Sequence, residues 1–381
     1  MGTNDKVWAV ARKEWTLATG VATGLIFVLW GDEMLQGLSS YSWLAFLFIW
    51  LFSVVLASAL GVVRHAEHLA QALGEPYGTL VLTLSITSIE VMSITAVMLH
   101  GEANPTLVRD TLFSVVMIIL GAMVGLSLLL GALRHREQYY NLQGANAYLG
   151  VIVLLATLSL ILPTFANAGV PGSFASVHRV MLIVMALLLY GTFLVLQTGR
   201  NRGYFVDSGE AAEAMASMED AQHRPGNIRG QQSGHVALHA ALLIAYMVPV
   251  VFLVEELAVP IDYVIETLHA PKTIGGVVMA VLVATPEAIG AIEAALSNHL
   301  QRSVNIFLGS VLSTIGLTVP LMLIVGFATG HVIILGLRGT DMVLLLLALA
   351  TSIITFASGR TNVMQGAIHI LLFTAFVFLL F

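Results

Sequence analysis

Two glutamates stand by themselves in long uncharged stretches of this sequence. Glu90 lies in TLVLTLSITSIEVMSITAVM (79–98), and Glu287 lies in GGVVMAVLVATPEAIGA (275–291). No lysine or arginine is close enough in sequence to pair with either carboxylate. Ionisable groups within apolar segments generally mark an ion or proton pathway, so we expect both glutamates to bind a cation or protons. The structural alternative is a pair of protonated glutamates that hydrogen-bond helices together.

Oxygen-bearing side chains accompany both glutamates. Thr87 and Ser88 lie within one helical turn before the first glutamate, and Thr285 lies two residues before the second. Their hydroxyls could help to coordinate a cation, although hydroxyls in membrane helices often bond only the preceding turn. Pro286 has no N–H, so it would either free a backbone carbonyl for coordination or simply kink its helix.

The surroundings of the two glutamates indicate an internal repeat. A glycine stands twelve residues before each glutamate, and the two blocks are about 197 residues apart. Downstream, DTLFSVVMIIL (110–120) resembles GSVLSTIGLTV (309–319). The polar residues of these stretches are further candidate ligands: Asp110, Ser114, Ser310 and Ser313. Asp110 also follows Arg109, with which it either pairs or lines an outer entrance.

The composition requires a membrane environment. The chain is 58% hydrophobic and 10% charged, whereas a soluble domain carries roughly 25% charged residues. Its apolar runs have the length of about 20 residues that a helix needs to cross a bilayer. The sequence therefore predicts an all-α polytopic membrane protein. The absence of cysteine excludes disulfides and thiolate metal sites, and none of the three lysines follows a glycine as a P-loop requires.

We predict eleven transmembrane helices. The glutamates fall near the middle of the third and the eighth. These two helices run in opposite directions because they are five places apart, so the repeat is inverted, as in many secondary transporters. A two-fold axis in the membrane plane would then bring the two carboxylates face to face at the midplane. The predicted spans are about 16–32, 40–62, 77–99, 106–132, 146–164, 177–198, 235–255, 273–297, 303–329, 339–357 and 362–380.

Lysine and arginine predict the orientation. With the N-terminus in the cytoplasm, twelve of the sixteen basic residues fall on the cytoplasmic side, as the positive-inside rule requires. The C-terminus then lies on the opposite side. We predict an extra N-terminal helix in 1–38, five-helix repeats in 39–198 and 235–381, and a cytoplasmic acidic linker in 199–234. A solvated linker is the preferred interpretation of that segment, and cation sensing is the alternative.

At these residues the chain resembles the calcium/proton exchangers of the calcium/cation antiporter superfamily. The glutamate-centred helices resemble that family's two α-repeats. Within the family, RHAEHLAQALGEPYGTL (64–80), VRDTLFS (108–114) and GRTNV (359–363) are similar to the bacterial ChaA-type branch. The resemblance implies an inner-membrane antiporter that exchanges Ca²⁺, and also Na⁺ and K⁺, for protons without a cofactor. Asn362, in the last of these stretches, joins the candidate ligands.

The sequence departs from the pattern of the resembled family at three positions. The family carries an asparagine three residues before each glutamate, where this chain has Thr87 and Ala284. A histidine commonly follows the second glutamate, where this chain has Ala288. Ca²⁺ takes six to eight oxygen ligands, so the loss of two amide oxygens argues against a dedicated, high-affinity calcium site and for broader cation use.

The predicted mechanism is alternating access, in which protons and a metal cation compete for the two glutamates. The expected partners are inorganic cations and the lipid bilayer, with no nucleotide or nucleic acid and an open oligomeric state. Three alternatives remain at this point. They are an intramembrane protease with two catalytic carboxylates, a cation channel, and an exchanger driven by Na⁺ instead of protons.

Overall fold

A computed structural model describes the parts of the chain that build the fold: residues 14–74, 77–99, 104–166, 170–199, 201–205 and 229–380. Eleven long helices succeed one another within these parts. Their bounds are α1 Trp15–Leu35, α2 Tyr41–Leu73, α3 Tyr77–Leu99, α4 Leu107–His135, α5 Leu142–Phe165, α6 Ser176–Thr198, α7 Arg229–Glu266, α8 Thr273–Leu296, α9 Leu300–Thr329, α10 Thr340–Thr355 and α11 Val363–Leu379.

The helices have the lengths and composition of membrane spans. Nine of those in the described residues are long and apolar enough to cross a bilayer, and α10 and α11 are shorter apolar helices. Two short strands, β1 Gln138–Tyr139 and β2 Arg360–Thr361, pair in antiparallel fashion and connect the segment after α4 with the segment before α11. The predicted fold class, an all-α polytopic membrane protein, is confirmed.

Three helices contain a π-helical turn. The turns lie at Ile118–Met123 in α4, Thr157–Ile161 in α5 and Thr314–Thr318 in α9. A π turn inserts one residue into the α-helical register and is frequently found at functional sites. The turn in α4 overlaps the end of one of the two stretches that the internal repeat relates, 110–120, and the turn in α9 lies within the other, 309–319.

Two helices are much longer than the sequence predicted. The second span was predicted to end at residue 62, but α2 continues to Leu73 and ends before Gly74, whose φ is 66°. The seventh span was predicted as 235–255, whereas α7 covers Arg229–Glu266. Hydropathy marks only the part of a helix that is apolar, and both extensions are polar or of mixed character, so hydropathy could not detect them.

The chain forms two compact units. The first comprises Met1–Ala103 and Arg229–Gly275, and the second comprises Asn104–Ile228 and Gly276–Phe381. Each unit therefore combines segments from both halves of the chain. The division into repeats at 39–198 and 235–381 concerns sequence similarity and stays a prediction. Most of the predicted linker, including its acidic residues at 207–220, lies outside the described residues.

In the first unit, α2 and α7 approach each other very closely. A Cβ atom at Gly61 of α2 would overlap the ring of Tyr246 of α7, which is fully buried. On α1, a Cβ atom at Gly20 would come within 2.9 Å of the Ser58 hydroxyl oxygen. Small residues let membrane helices pack backbone to backbone, and here they bring α1, α2 and α7 together.

Candidate functional site

Glu90 lies in the middle of α3 and is almost completely buried, with 1% of its surface exposed. Thr87 and Ser93, three residues before and three after it, are buried as well. Residues three apart in a helix share a face, so this face of α3 combines a carboxylate with two hydroxyls. Such an oxygen-rich surface inside an apolar helix is suited to a desolvated cation or to protons.

A close approach of α3 to α2 fixes the position of the helix that carries Glu90. A Cβ atom at Gly78, in the first turn of α3, would overlap the carbonyl oxygen of Ala70 in α2. Only glycine permits this contact, because it has no Cβ atom. The glycine that the sequence repeat singled out therefore sets where α3 begins, three turns before the glutamate.

Glu287 occupies the corresponding place in α8, with 8% of its surface exposed. The buried face around it carries small side chains: Ala280, Ala284, Ala291, Ala294 and Ala295. Small residues let neighbouring helices approach closely. The faces of Glu90 and Glu287 differ in this respect, since hydroxyls flank the first and methyl groups flank the second.

Pro286 leaves α8 continuous from Thr273 to Leu296. Because proline lacks an N–H, the carbonyl of Leu282 has no helical donor at this point. The Thr285 hydroxyl donates to the Val281 carbonyl at 2.5 Å. Thr285 therefore bonds the preceding turn, and its role as a cation ligand stays a prediction.

Asp110 lies at the start of α4 and is 3% exposed. Arg109 Nε donates to its Oδ1 at 2.8 Å, and the Thr106 hydroxyl donates to its Oδ2 at 3.0 Å. Of the two roles predicted for Asp110, pairing with Arg109 is the one that the structure shows. Its use as a cation ligand stays a prediction.

The predicted serine ligands of the second unit are buried but bonded to their own helices. Ser114 Oγ donates to the Asp110 carbonyl at 2.7 Å, and Ser313 Oγ donates to the Ser310 carbonyl at 3.0 Å. Ser310 is buried too, whereas Ser88 in the first unit is half-buried. Each hydroxyl oxygen that donates a proton in this way still has lone pairs that can coordinate a cation.

Asn362 has a structural role at the start of α11. It is exposed, and its side chain accepts a hydrogen bond from the Gln365 N–H at 3.3 Å. The Gln365 side chain in turn accepts from the Asn362 N–H at 3.1 Å. This reciprocal capping box satisfies two N–H groups at the helix end, so capping accounts for the asparagine of the GRTNV stretch.

Within the stretches that the internal repeat relates, two buried hydroxyls have no hydrogen-bond partner among the described residues. They are Thr87 Oγ1 in α3 and Thr111 Oγ1 in α4. Buried polar groups are nearly always hydrogen-bonded, so each exception requires an explanation. Thr111 and Ser93 were not among the predicted ligands. The alignment of Thr111 with Ser310 in the repeat was the signal that could have identified it.

His369 is a further buried group that the sequence did not identify. Its Nδ1 donates to the Leu120 carbonyl in the π turn of α4 at 2.5 Å, and the Thr355 hydroxyl donates to its Nε2 at 3.0 Å. Both ring nitrogens are thus bonded in a neutral tautomer. The histidine ties α11 and α10 to the π turn, and it is a positioning residue for α4.

Among the described residues, no group of three or more histidine, aspartate and glutamate side chains is arranged to hold a metal ion. A cation bound by either glutamate would therefore need hydroxyl, carbonyl, amide or water oxygens to complete its coordination. Hard cations such as Ca²⁺ and Na⁺ accept these ligands.

Residues 43–199 and 238–381 match the family described as "Sodium/calcium exchanger protein". The chain belongs to the sodium/calcium exchanger family. The matched segments contain both glutamates and omit the acidic stretch between the halves, as expected if that stretch is a variable connection.

Relatives within the sodium/calcium exchanger family cover nearly the whole chain. The chain is 37% identical to the sodium-potassium/proton antiporter ChaA of Escherichia coli (strain K12) over 372 residues, which is 97% of both chains. It is 23% identical to the Ca²⁺/H⁺ antiporter ChaA of Bacillus subtilis (strain 168), covering 82% of this chain and 85% of the relative. The solved structure of native YfkE superposes with a TM-score of 0.72 at 19% identity, over 96% of this chain and 98% of that one.

Proposed function

We propose that this protein is a secondary antiporter that exports Ca²⁺, and also Na⁺ and K⁺, in exchange for protons. The observation that carries the proposal is the near-complete burial of one carboxylate in the middle of each of two repeat-related membrane helices, Glu90 at 1% and Glu287 at 8% exposure. The names of the relatives support proton coupling, since one is a sodium-potassium/proton antiporter and another a Ca²⁺/H⁺ antiporter.

In the proposed mechanism, protons and the metal cation compete for Glu90 and Glu287. Deprotonated carboxylates bind the cation, and protonation discharges them and releases it. A bare carboxylate at the bilayer centre costs at least ~3 kcal/mol even on the lenient insertion scale. The protein therefore changes its access from one side to the other only when the glutamates hold a cation or protons, and this condition enforces exchange and prevents leak.

The number of carboxylates sets the energetics of calcium export. Two glutamates that release two protons for one Ca²⁺ give an electroneutral cycle. One pH unit across the membrane supplies about 1.4 kcal/mol per proton, so two protons sustain a Ca²⁺ gradient of roughly a hundredfold. For Na⁺ and K⁺, the same balance of charge means that each monovalent cation that binds a carboxylate displaces one proton.

We place the protein in the bacterial inner membrane with its N-terminus in the cytoplasm. The support is the asymmetry of lysine and arginine between the two sides and the bacterial origin of the relatives. In this orientation protons enter the cell while cations leave. Everted vesicles then expose the cytoplasmic face to the assay buffer.

A second candidate function is calcium exchange driven by Na⁺. The description of the matched family, sodium/calcium exchanger, favours it. The two functions differ in whether protons move. A cation-driven pH change in vesicles without Na⁺ supports proton coupling, whereas Ca²⁺ movement that requires Na⁺ and produces no pH change supports the alternative.

Glutamine substitutions test the proposed role of the glutamates. Glu90→Gln and Glu287→Gln keep the size of the side chain and remove its titration. We expect each to abolish proton release driven by Ca²⁺, Na⁺ or K⁺ in everted vesicles while the protein remains inserted. Glu137→Gln, at a half-exposed carboxylate outside the helices, is the matched control and should behave like the wild type. Retention of more than about a tenth of wild-type exchange, a loss below ~1.4 kcal/mol, would remove that glutamate from the mechanism.

A further inference from the structure

A cluster of titratable groups lies in the first unit, well away in sequence from both exchange glutamates. It joins the residue before α1, the polar extension of α2 and the first part of α7. His65 of α2 and His239 of α7 are at its centre, with their Nδ1 atoms 2.9 Å apart. His65 is 2% exposed, and His239 is half-buried.

An anionic carboxylate supports one side of this pair. Glu14 Oε2 accepts from the Tyr246 hydroxyl at 2.7 Å and forms an ion pair with Arg64. It also lies 3.3 Å from His65 Nε2. Burial raises the pKa of Glu14, but the hydrogen bond from Tyr246 and the Arg64 charge outweigh it, so that the pKa is lowered overall. Glu14 is therefore ionised at neutral pH, and its carboxylate can accept a hydrogen bond from His65 Nε2–H.

The geometry limits how many protons the two rings can hold. At 2.9 Å, one Nδ1 must donate and the other must accept. The neutral pair satisfies this condition with the proton of His65 on Nε2, facing Glu14, and that of His239 on Nδ1. One added proton also fits, because a single imidazolium can donate to its neutral partner. A second added proton would set two N–H groups against each other and place two cations beside Arg64.

Further titratable groups among the described residues surround the pair. On α2 itself, His68 stacks beside His239 with ring centroids 4.7 Å apart, and Arg64 is half exposed. On α7, the Tyr246 ring lies 5.5 Å from the His65 ring. Among the described side chains of α3, which packs against both helices, Glu90 is the titratable group, and it lies in the middle of that helix.

From this geometry we infer that His65 and His239 form a proton-binding site, separate from the exchange glutamates, that slows exchange when the cytoplasm becomes acidic. The positive-inside rule places this end of α2, with Arg64, in the cytoplasm. Histidine is the side chain whose ordinary pKa, about 6.5, lies in the range of cytoplasmic pH. Binding of the second proton breaks the contact between α2 and α7, the two helices against which the Glu90 helix packs.

The inference rests on the proposed exchange activity for one readout, so the experiment uses a second readout that needs no transport. Histidine ring signals of the detergent-solubilised protein are followed by NMR as the pH is lowered, with signals assigned by His65→Gln and His239→Gln. We expect His65 to titrate in two separated steps in the wild type and in one step in His239→Gln. A His65 titration that is identical in both proteins would overturn the site.

The second readout is radioactive Ca²⁺ uptake into everted vesicles of constant internal pH. Between about pH 8 and about pH 5 outside, we expect the wild-type rate to fall at least about fivefold more than that of either glutamine variant. Competition of protons at Glu90 and Glu287 slows all three proteins alike, so the difference between them reports the histidine pair. His299→Gln, at an exposed histidine between α8 and α9, should follow the wild type. If His65→Gln does not insert stably, His239→Gln alone gives the same comparison.

The two readouts separate the two proposals. Coupled titration in a protein that exchanges no cation for protons would refute the proposed function and leave the proton site standing. Coupled titration together with an unchanged acid response of transport in His239→Gln would overturn the control of exchange by the pair.

Discussion

Gly276 of α8 lies directly against the backbone of Asp110 in α4. A Cβ atom at this glycine would come within 2.7 Å of the Asp110 carbonyl carbon and of the Thr111 nitrogen. Backbone atoms cannot yield as the end of a side chain can, so residue 276 must lack a side chain. The contact fixes the start of the helix that carries Glu287 against the start of α4.

The first prediction is that Gly276→Ala destabilises the protein even though alanine favours helix formation. In an open helical position the same change gains roughly 1 kcal/mol, whereas forced overpacking costs roughly 1–3 kcal/mol. We expect a lower unfolding temperature in detergent, measured by the loss of the monodisperse peak on size-exclusion chromatography after heating. Gly150→Ala is the control, because open space surrounds that glycine. An unfolding temperature equal to that of the control would contradict the close contact.

The second prediction distinguishes two threonines close to the glutamates. Thr87 Oγ1 has no hydrogen-bond partner in the described part of the chain, whereas Thr285 Oγ1 bonds its own helix. Replacement by the isosteric valine should therefore lower apparent cation affinity about three- to tenfold in Thr87→Val, a loss of up to ~1.4 kcal/mol. Thr285→Val should leave the affinity nearly unchanged. The apparent cation affinity of both variants is measured from proton release at increasing cation concentration in vesicles. A Thr87→Val protein that is more stable because it lacks an unsatisfied hydroxyl, and whose affinity is unaltered, would exclude Thr87 as a ligand.

The third prediction concerns selectivity. Thr87 and Ala284 are both buried, each three residues before its glutamate and where the resembled exchangers carry asparagine. The double variant Thr87→Asn with Ala284→Asn adds two neutral carbonyl oxygens, and Ca²⁺ gains more from them than Na⁺ because it takes more ligands. We expect the Ca²⁺ affinity relative to Na⁺ to rise about tenfold, or ~1.4 kcal/mol, with each single variant doing less.

A matched control accounts for the added volume in that experiment. Ala280→Asn places the same side chain one turn earlier on the buried face of α8 and should cause the same overpacking without the gain in selectivity. An inserted and active double variant whose Ca²⁺/Na⁺ preference equals that of the wild type would show that neither position faces the ion.

The fourth prediction treats Asn362 as a helix cap. Asn362→Ala removes the acceptor for the Gln365 N–H, which should cost about 0.5–2 kcal/mol of stability. Asn362→Asp keeps the acceptor and should retain the stability. Cation affinity measured below the unfolding temperature should be the same in all three proteins. A change of ion preference in the alanine variant at unchanged stability would instead identify Asn362 as a ligand.

The sequence predicts the helices and their central charges well because both depend on local features. The third span was predicted as 77–99, and α3 has these bounds. Glu90 and Glu287 were expected near the middle of their helices, where an isolated charge can avoid lipid only by facing protein or water, and both are buried. The polar end of α2 was missed because hydropathy measures the membrane-embedded part of a helix and says nothing of a helix that continues beyond it.

Features that depend on distant residues could not be predicted in this way. The contact of His65 with His239 joins positions 174 residues apart, and that of His369 with Leu120 joins positions 249 apart. The residues next to each histidine in the sequence give no sign of these distant contacts. The capping box of Asn362 with Gln365 is a local pattern that the sequence could have shown, whereas the role of Asn362 as a cation ligand stays a prediction.

The composition of the first unit has a consequence for biosynthesis. Its helices α1 to α3 leave the ribosome early, but α7, the helix that packs most extensively against α2, is encoded only after residues 104–228. At ~5–20 residues per second, the early helices wait on the order of ten seconds in the bilayer before their partner arrives. During that interval the surface around Gly61 that later receives Tyr246 faces lipid or the insertion machinery. Nascent chains that stall before α7 should therefore be the preferred substrates of membrane proteases.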